Sequence, residues 1–380
     1  IKTILGSTLI PQRSQQTQVV SLQKNSNLEN KKSKIKVLIV DDSLSIRNLL
    51  TQILTKDSDF EVVGQAEKPS QVEDLIKKLK PDVITLDIHM PEMDGVSLLK
   101  KIHPIYRIPT VMISSISKEE GPQVLQALEI GAVDYIQKPQ MKDLAESAQI
   151  IRDRLKIAAR ANLSKVTKIR KVQMSKQSFM DDKTLVVIGA STGGTEALRI
   201  VLESFPSKIP PVLIVQHIPP VFSAAFASRL NELCSFKVKE AENDEEVTPD
   251  KVLIAPGGKQ MGIYERSGKY FIRISDEAPV NRHKPSVDYL FKSVNDLKLR
   301  NTVGVVLTGM GADGAKQLKN LRDQGARTIA QDEATSVVYG MPKEAALQGG
   351  AEFVLPLGSI AQKILDLCDV SVQRQGVKSA

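Results

Sequence analysis

The sequence predicts two doubly wound α/β units joined by a basic linker. Three observations carry this expectation. A length of 380 residues exceeds what one ordinary domain needs. Apolar strand-like runs alternate with amphipathic helix-like runs in both halves of the chain. Between the halves the pattern breaks into a stretch dense in Lys and Arg.

The first unit opens at Ile35, where Ile-Lys-Val-Leu-Ile-Val reads as a buried strand ending in Asp41 and Asp42. A helical stretch from Ser43 to about Lys56 places Ile46, Leu49, Leu50, Ile53 and Leu54 on one face. Further strands are expected near 60–65, 82–87, 108–113 and 133–137, with helices near 70–80, 95–102, 119–130 and 141–160. Five strand–helix pairs imply a parallel sheet covered on both faces. The second unit opens with Thr184-Leu185-Val186-Val187-Ile188 and runs to about residue 369. Its middle, 236–275, reads as short strands and turns rather than βαβ units. The expected divisions are a disordered tail at 1–34, a first domain at 35–155, a basic linker at 156–183 and a second domain at 184–370.

The composition, 41% hydrophobic and 25% charged, is that of a soluble globular protein. No apolar run approaches the roughly 18 residues of a membrane span, and the first residues lack a signal-peptide pattern. Cys234 and Cys368 have neither metal-ligand spacing nor the number a disulfide framework needs, so a cytoplasmic setting is expected. The net charge of +8 is concentrated in residues 1–36 and 151–176; the rest of the chain is net acidic. No aromatic residues interleave with the charges of 151–176, which favours a solvated linker over a nucleic-acid surface.

In the first unit, Asp41 and Asp42 follow one strand and Asp87 ends the third, at adjacent edges of a parallel sheet. Three converging carboxylates call for a cation, and an all-oxygen set suits Mg²⁺. Lys138 follows the fifth strand and Ser114 ends the fourth; both reach the same mouth. Lys138-Pro139 is a candidate cis bond that would aim the lysine. Together with Leu86-Asp87-Ile88-His89-Met90-Pro91-Glu92-Met93-Asp94-Gly95, these positions resemble a response-regulator receiver domain, of flavodoxin-like fold. The resemblance implies that Asp87 accepts a phosphoryl group, that Asp41 and Asp42 hold Mg²⁺ with it, and that Ser114 and Lys138 sense the phosphoryl group. His89 stands at a position that contributes its backbone carbonyl.

In the second unit, a strand ends in Gly189-Ala190-Ser191-Thr192-Gly193-Gly194, a Gly-x-Ser-x-Gly turn before a helix. Such a turn lifts a serine oxygen towards a helix N-terminus. The same turn would suit a phosphate loop, but the next strand ends in His217, where a dinucleotide fold would want an acidic residue. A third strand leads into Gly309-Met310-Gly311-Ala312-Asp313-Gly314. Ser191, His217 and Asp313 thus supply a nucleophile, a base and an orienting acid, in an order unlike that of the α/β-hydrolases. Backbone N–H groups near His217, Thr192 and Met310 are oxyanion candidates.

These segments, with Gln216-His217-Ile218-Pro219, Ile254 to Gly258, Val280 to Asp288 and Tyr339-Gly340-Met341-Pro342, resemble the chemotaxis protein-glutamate methylesterase family. The resemblance implies a phosphorylation-activated hydrolase of glutamate methyl esters on chemoreceptor cytoplasmic helices, which also deamidates selected receptor glutamines. It implies a chemotaxis histidine kinase as phosphodonor, no cofactor for the ester chemistry, and neither nucleic acid nor membrane insertion. At Gln260 the chain departs from the family, whose members often carry histidine there; if that histidine shapes the substrate cleft, the departure alters activity or substrate preference. The rival readings are a DNA- or RNA-binding response regulator and a catalytically silent scaffold. The acidic balance outside the tail and linker and the lack of a helix-turn-helix pattern argue against the first.

Overall fold

The computed structural model describes residues 33–115, 120–138, 144–161 and 184–369. Residues 1–32 of the expected tail, most of the expected linker and the Lys138-Pro139 bond lie outside the described residues. In the first domain, β1 (Ile35–Val40), β2 (Phe60–Ala66), β3 (Val83–Asp87), β4 (Thr110–Ser114) and β5 (Asp134–Gln137) form one parallel sheet in the order β2-β1-β3-β4-β5. The helices are α1 (Leu44–Thr55), α2 (Val72–Leu79), α3 (Gly95–Tyr106), α4 (Gly121–Ile130) and α5 (Leu144–Ala158). Leu50, Ile53 and Leu54 of α1 and Ile151, Leu155 and Ala158 of α5 cover one face of the sheet. Helices α2, α3 and α4 cover the other through Ile76, Leu99, Ile102, Val124 and Leu128. Strand order reverses between β1 and β3, and an open parallel sheet keeps its crevice at that switch point.

Helix α5 runs past the boundary expected at residue 155, because Ala158 is still buried against the sheet. Two of its basic side chains are held by carboxylates of the first domain. Arg154 pairs with Asp134, and Lys156 with Asp57 and Asp59.

The second domain holds a parallel sheet of seven strands: β6 (Leu185–Ala190), β7 (Val212–Gln216), β8 (Lys237–Glu240), β9 (Lys251–Ile254), β12 (Thr302–Val306), β13 (Arg327–Gln331) and β14 (Phe353–Leu355). Their order is β14-β13-β12-β6-β7-β9-β8. The chain starts at the centre, builds outward through β7 and returns to the other side of β6 with β12. The short strands expected over 236–275 are present, yet β8 and β9 extend the parallel sheet. Only β10 (Gln260–Arg266) and β11 (Lys269–Ser275) form a separate antiparallel hairpin. Helices α6 (Gly194–Glu203), α7 (Pro220–Leu233) and α11 (Leu357–Cys368) cover one face, and α8 (Val287–Asp296), α9 (Ala315–Asp323) and α10 (Met341–Leu347) the other.

The apolar core on the α4 side runs unbroken into the second domain. Phe222 of α7 is fully buried and meets Tyr135 of β5 edge-on, with ring centroids 5.1 Å apart. Beside it Arg229 of α7 forks onto Glu129 of α4 through Nε at 2.8 Å and Nη2 at 3.3 Å.

One glycine links the first fold to its site. The Asp94 carboxylate caps α3 by accepting from the Ser97 N–H at 2.8 Å, which draws Gly95 under the end of β3. A Cβ on Gly95 would lie 1.9 Å from the Asp87 carbonyl oxygen. Gly95→Ala is therefore expected to destabilise the first domain by at least about 2 kcal/mol. Denaturant unfolding checks this, and an unchanged midpoint would contradict the packing.

Candidate active site

Ser191, His217 and Asp313 follow β6, β7 and β12, three neighbouring strands, so their side chains meet at one sheet edge. Ser191 sits in the turn into α6, fixed by its N–H to the Thr308 carbonyl at 3.0 Å and by the Gln216 amide on its own carbonyl at 2.9 Å. Its Oγ lies 3.1 Å from Nδ1 of His217, and Nε2 of the same ring lies 2.8 Å from Oδ2 of Asp313. The ring is thus turned the opposite way from that of chymotrypsin-type triads, where Nε2 faces the serine. With a carboxylate at Nε2, the proton sits there and Nδ1 presents its lone pair to the hydroxyl.

Asp313 is buried and surrounded by donors. Besides His217, it accepts from Asn281 Nδ2 at 2.8 Å, Ser286 Oγ at 2.8 Å, Val287 N–H at 2.7 Å and Asp288 N–H at 3.1 Å. Burial alone would raise its pKa. The hydrogen bond and charge of His217, with Asn281 and Ser286, outweigh that and hold it down at about 2. Two of these donors are the first N–H groups of α8, so a helix terminus also favours the charge. Asn281 bridges onward to Asp288 at 2.7 Å.

Gln260 is fully buried and acts as a brace. Its amide nitrogen donates to the carbonyls of Ala278 and His283, both at 3.2 Å, and its oxygen accepts from the Ser286 N–H at 2.9 Å. It fixes the segment whose side chains grip Asp313. Within that segment the His283 ring stacks flat on His217, with centroids 3.7 Å apart and planes 11° apart.

The oxyanion candidates separate. The His217 N–H donates to the Ala190 carbonyl at 3.1 Å and is already occupied, which removes it as a donor. Among the described residues, the N–H groups of Thr192 and Met310 make no such bond. Met310 is held close because Gly309 has no side chain; a Cβ there would come 2.7 Å from that of Ser191.

In the first domain, Asp41, Asp42 and Asp87 bring carboxylate oxygens within 4.8 Å of one another. Lys138 Nζ lies 2.9 Å from Asp87 and 3.2 Å from Asp41. Burial, helped by the charge of Asp41, pushes Asp87 up to about 6 even with the lysine in place, and burial raises Asp41 as well. The cluster has more negative charge than one lysine offsets, and its oxygen donors fit a Mg²⁺ ion. Ser114 ends β4 with its hydroxyl on the Glu120 carboxylate, which also accepts from Ser115 at 2.6 Å and lies 3.1 Å from His89 Nε2.

The first domain reaches into the active site of the second. Thr192, next to Ser191, donates its hydroxyl to Asp134 at 3.0 Å, and Asp134 also holds Arg154 at 2.9 Å. The cavity left over Ser191 and His217 measures about 20 Å³, with Leu128, Asp134, Tyr135 and Arg154 as its far wall. That volume is roughly one water. Sequence patterns carried no signal for these contacts, since they join residues 58 apart across two domains. Roles for Asn281, Ser286 and His283 were hidden within a recognised motif.

Family models for the CheB methylesterase and the response regulator receiver domain match residues 186–364 and 37–149. A protein-glutamate methylesterase/protein-glutamine glutaminase of Yersinia pestis is 44% identical over 337 residues, covering 88% of this chain and 97% of that protein. One from Salmonella typhimurium is 45% identical over 337 residues, with the same two coverages. The crystal structure of the Thermotoga maritima CheB methylesterase catalytic domain matches 48% of this chain and 98% of its own at 38% identity, with a TM-score of 0.47. Matched in both domains and over nearly the full length of such relatives, the chain belongs to the protein-glutamate methylesterase/protein-glutamine glutaminase family.

Proposed function

We propose that this chain hydrolyses glutamate methyl esters on chemoreceptors, and deamidates receptor glutamines, through Ser191, His217 and Asp313 under control of a phosphoryl group on Asp87. The observation that carries the reading is the His217 ring, in hydrogen-bond reach of both Ser191 and Asp313. Ser191 Oγ attacks the γ-carbonyl carbon while its proton moves to His217 Nδ1. The oxyanion is received by the N–H groups of Thr192 and Met310, donors typically worth about 3 kcal/mol each. The tetrahedral intermediate collapses, the C–O bond to the methoxy group breaks, and His217 returns the proton to release methanol. From a glutamine, the same collapse releases ammonia. Water then gives a proton to His217 and attacks the acyl carbon; the bond to Ser191 Oγ breaks, His217 returns the proton to that oxygen, and a free glutamate is left.

Asp41, Asp42 and Asp87 would hold Mg²⁺, which neutralises charge on the incoming phosphoryl oxygens. Lys138 is already at Asp87 and would pair with the phosphoryl group, while Ser114 would leave Glu120 to donate to it. The phosphodonor is a chemotaxis histidine kinase. With Asp87 unmodified, the first domain closes the cleft: Asp134 holds Thr192 beside Ser191, and Leu128, Tyr135 and Arg154 line the space over Ser191 and His217. Among the described residues no helix is long and apolar enough to cross a membrane, and the substrate is met at the receptor's cytoplasmic helices.

Three outcomes are expected. Ser191→Ala abolishes methanol release from methylated receptor membranes, and Asp87→Asn removes its stimulation by acetyl phosphate with Mg²⁺. Full activity in folded Ser191→Ala protein would refute the nucleophile. Asp134→Ala, which removes the carboxylate that Thr192 and Arg154 share, raises the unphosphorylated rate several-fold, as does deletion of residues 1–150. An unchanged or lower basal rate in both would count against closure by the first domain. The third concerns acid stability. The Asp313 pKa is depressed in the folded state, so its contribution is complete above the ordinary carboxylate value near 4 and is lost as pH falls towards about 2. Asp313→Asn should flatten the fall of unfolding free energy across that window; an unaltered slope would show that the carboxylate is not held charged.

A further inference from the structure

The ring stacked on the candidate base has no part in the acyl transfer described above, yet the structure takes trouble to hold it there. His283 closes a tight turn in which its N–H donates to the Val280 carbonyl at 2.8 Å and its carbonyl accepts from the Val280 N–H at 3.1 Å. The two residues inside the turn, Asn281 and Arg282, have φ of 51° and 68°, in the left-handed region that side chains rarely adopt. Backbone of this kind persists where its surroundings over-determine it, and it concentrates at functional sites. Gln260, fully buried, holds the turn from outside through the His283 carbonyl. The turn presents two side chains inward: Asn281 to Asp313, and the face of His283 to the face of His217. Among the described residues the His283 ring makes no hydrogen bond, so its contact with the site is through its face.

We propose that His283 is a positioning residue: its ring, clamped by the turn and by Gln260, holds the His217 imidazole in the plane that joins Ser191 to Asp313 and supports the imidazolium formed when Ser191 gives up its proton. The inference rests on the catalytic reading of that triad. The ring must be uncharged to do this, and its surroundings keep it so. Burial first, then the neighbouring His217, push the His283 pKa down to about 4; Arg154 of α5 acts in the same sense and Asp313 opposes. At neutral pH an uncharged aromatic face therefore lies over a ring that gains positive charge in the transition state, a favourable arrangement. A protonated partner would instead repel it. The charged groups around the pair are Asp313, the Asp288 carboxylate behind Asn281, and Arg154 from the first domain.

The test uses the full chain, activated with acetyl phosphate and Mg²⁺, and measures kcat and KM for methanol release from methylated receptor membranes between pH 5 and pH 9. His283→Phe keeps a flat ring, whereas His283→Leu keeps bulk without one. The expected result is a kcat for His283→Phe within about threefold of the parent. For His283→Leu, kcat should fall about 10- to 100-fold with KM within about twofold. Its acid limb should move down by roughly half a unit to one unit, as the imidazolium loses its aromatic face. A parental kcat and acid limb in His283→Leu, or equal damage in both variants, would overturn the proposal. Should His283→Leu lose its cooperative thermal transition, His283→Phe decides alone: a retained acid limb supports the proposal and a displaced one overturns it. Ser191→Ala separates the two readings. Its inactivity beside an intact His283→Leu sinks only the positioning role, whereas its full activity sinks the triad itself.

Discussion

The catalytic half of the molecule is organised around one constraint, the need to keep the Asp313 carboxylate charged while burying it. An isolated buried carboxylate is costly and would take up a proton. Here the cost is met by donors from four places: His217 after β7, Asn281 from the strained turn, Ser286 just before α8, and the first N–H groups of α8. Every one is remote in sequence from Asp313, the nearest by 25 positions. The interaction that makes Asp313 an acceptor for His217 therefore also ties the β12 loop to the segment between β11 and α8. Gln260 forms a second layer, since without its amide the donors would have no fixed frame.

Both sites obey the same topological rule, and the contact between them follows from it. Each sheet keeps its reactive groups at the C-terminal edge of its strands. The first domain offers one edge to the phosphoryl chemistry, and β5, α4 and α5 to the second domain. Glu120, which holds Ser114, directly precedes Gly121, whose Cβ position faces Phe222 and Ala225 of α7. The residue gripping the candidate phosphoryl sensor is thus the neighbour of a residue touching the esterase helix. The Arg229–Glu129 pair nearby is largely solvent-exposed and adds orientation more than strength. The Tyr135–Phe222 contact beside it is buried and apolar.

Much of this was legible in the sequence, for a physical reason. Strands of a covered parallel sheet read as unbroken apolar runs, so β1, β3, β4, β6, β7 and β12 announced themselves, and residues ending those runs had to gather at one edge. Ser191, His217, Asp313 and the Asp41, Asp42, Asp87 cluster were placed by that argument. What stayed hidden depends on packing between distant segments. Asn281 and Ser286 look like ordinary loop and cap residues until Asp313 arrives. Gln260 showed only as a departure from the family's usual histidine and is a buried brace. Asp134 and Arg154 carry no periodicity that could reveal the facing domain, and β8 and β9 were too short to betray that they extend the main sheet.

The narrow space over Ser191 also sets a ceiling. On the reading that the docked arrangement admits no receptor helix, every turnover of the unmodified protein must come from molecules that have momentarily opened. The resting rate is then the open fraction multiplied by the rate of the open form, and phosphorylation gains only by raising that fraction. If about 1% of molecules stand open at rest, the largest stimulation any phosphodonor can produce is about 100-fold, however tightly Asp87 holds its phosphoryl group. A leakier interface would lower that ceiling without any change at the triad. The dynamic range of the signal is therefore written in the contact between α4, β5 and α7 rather than in the chemistry of either site.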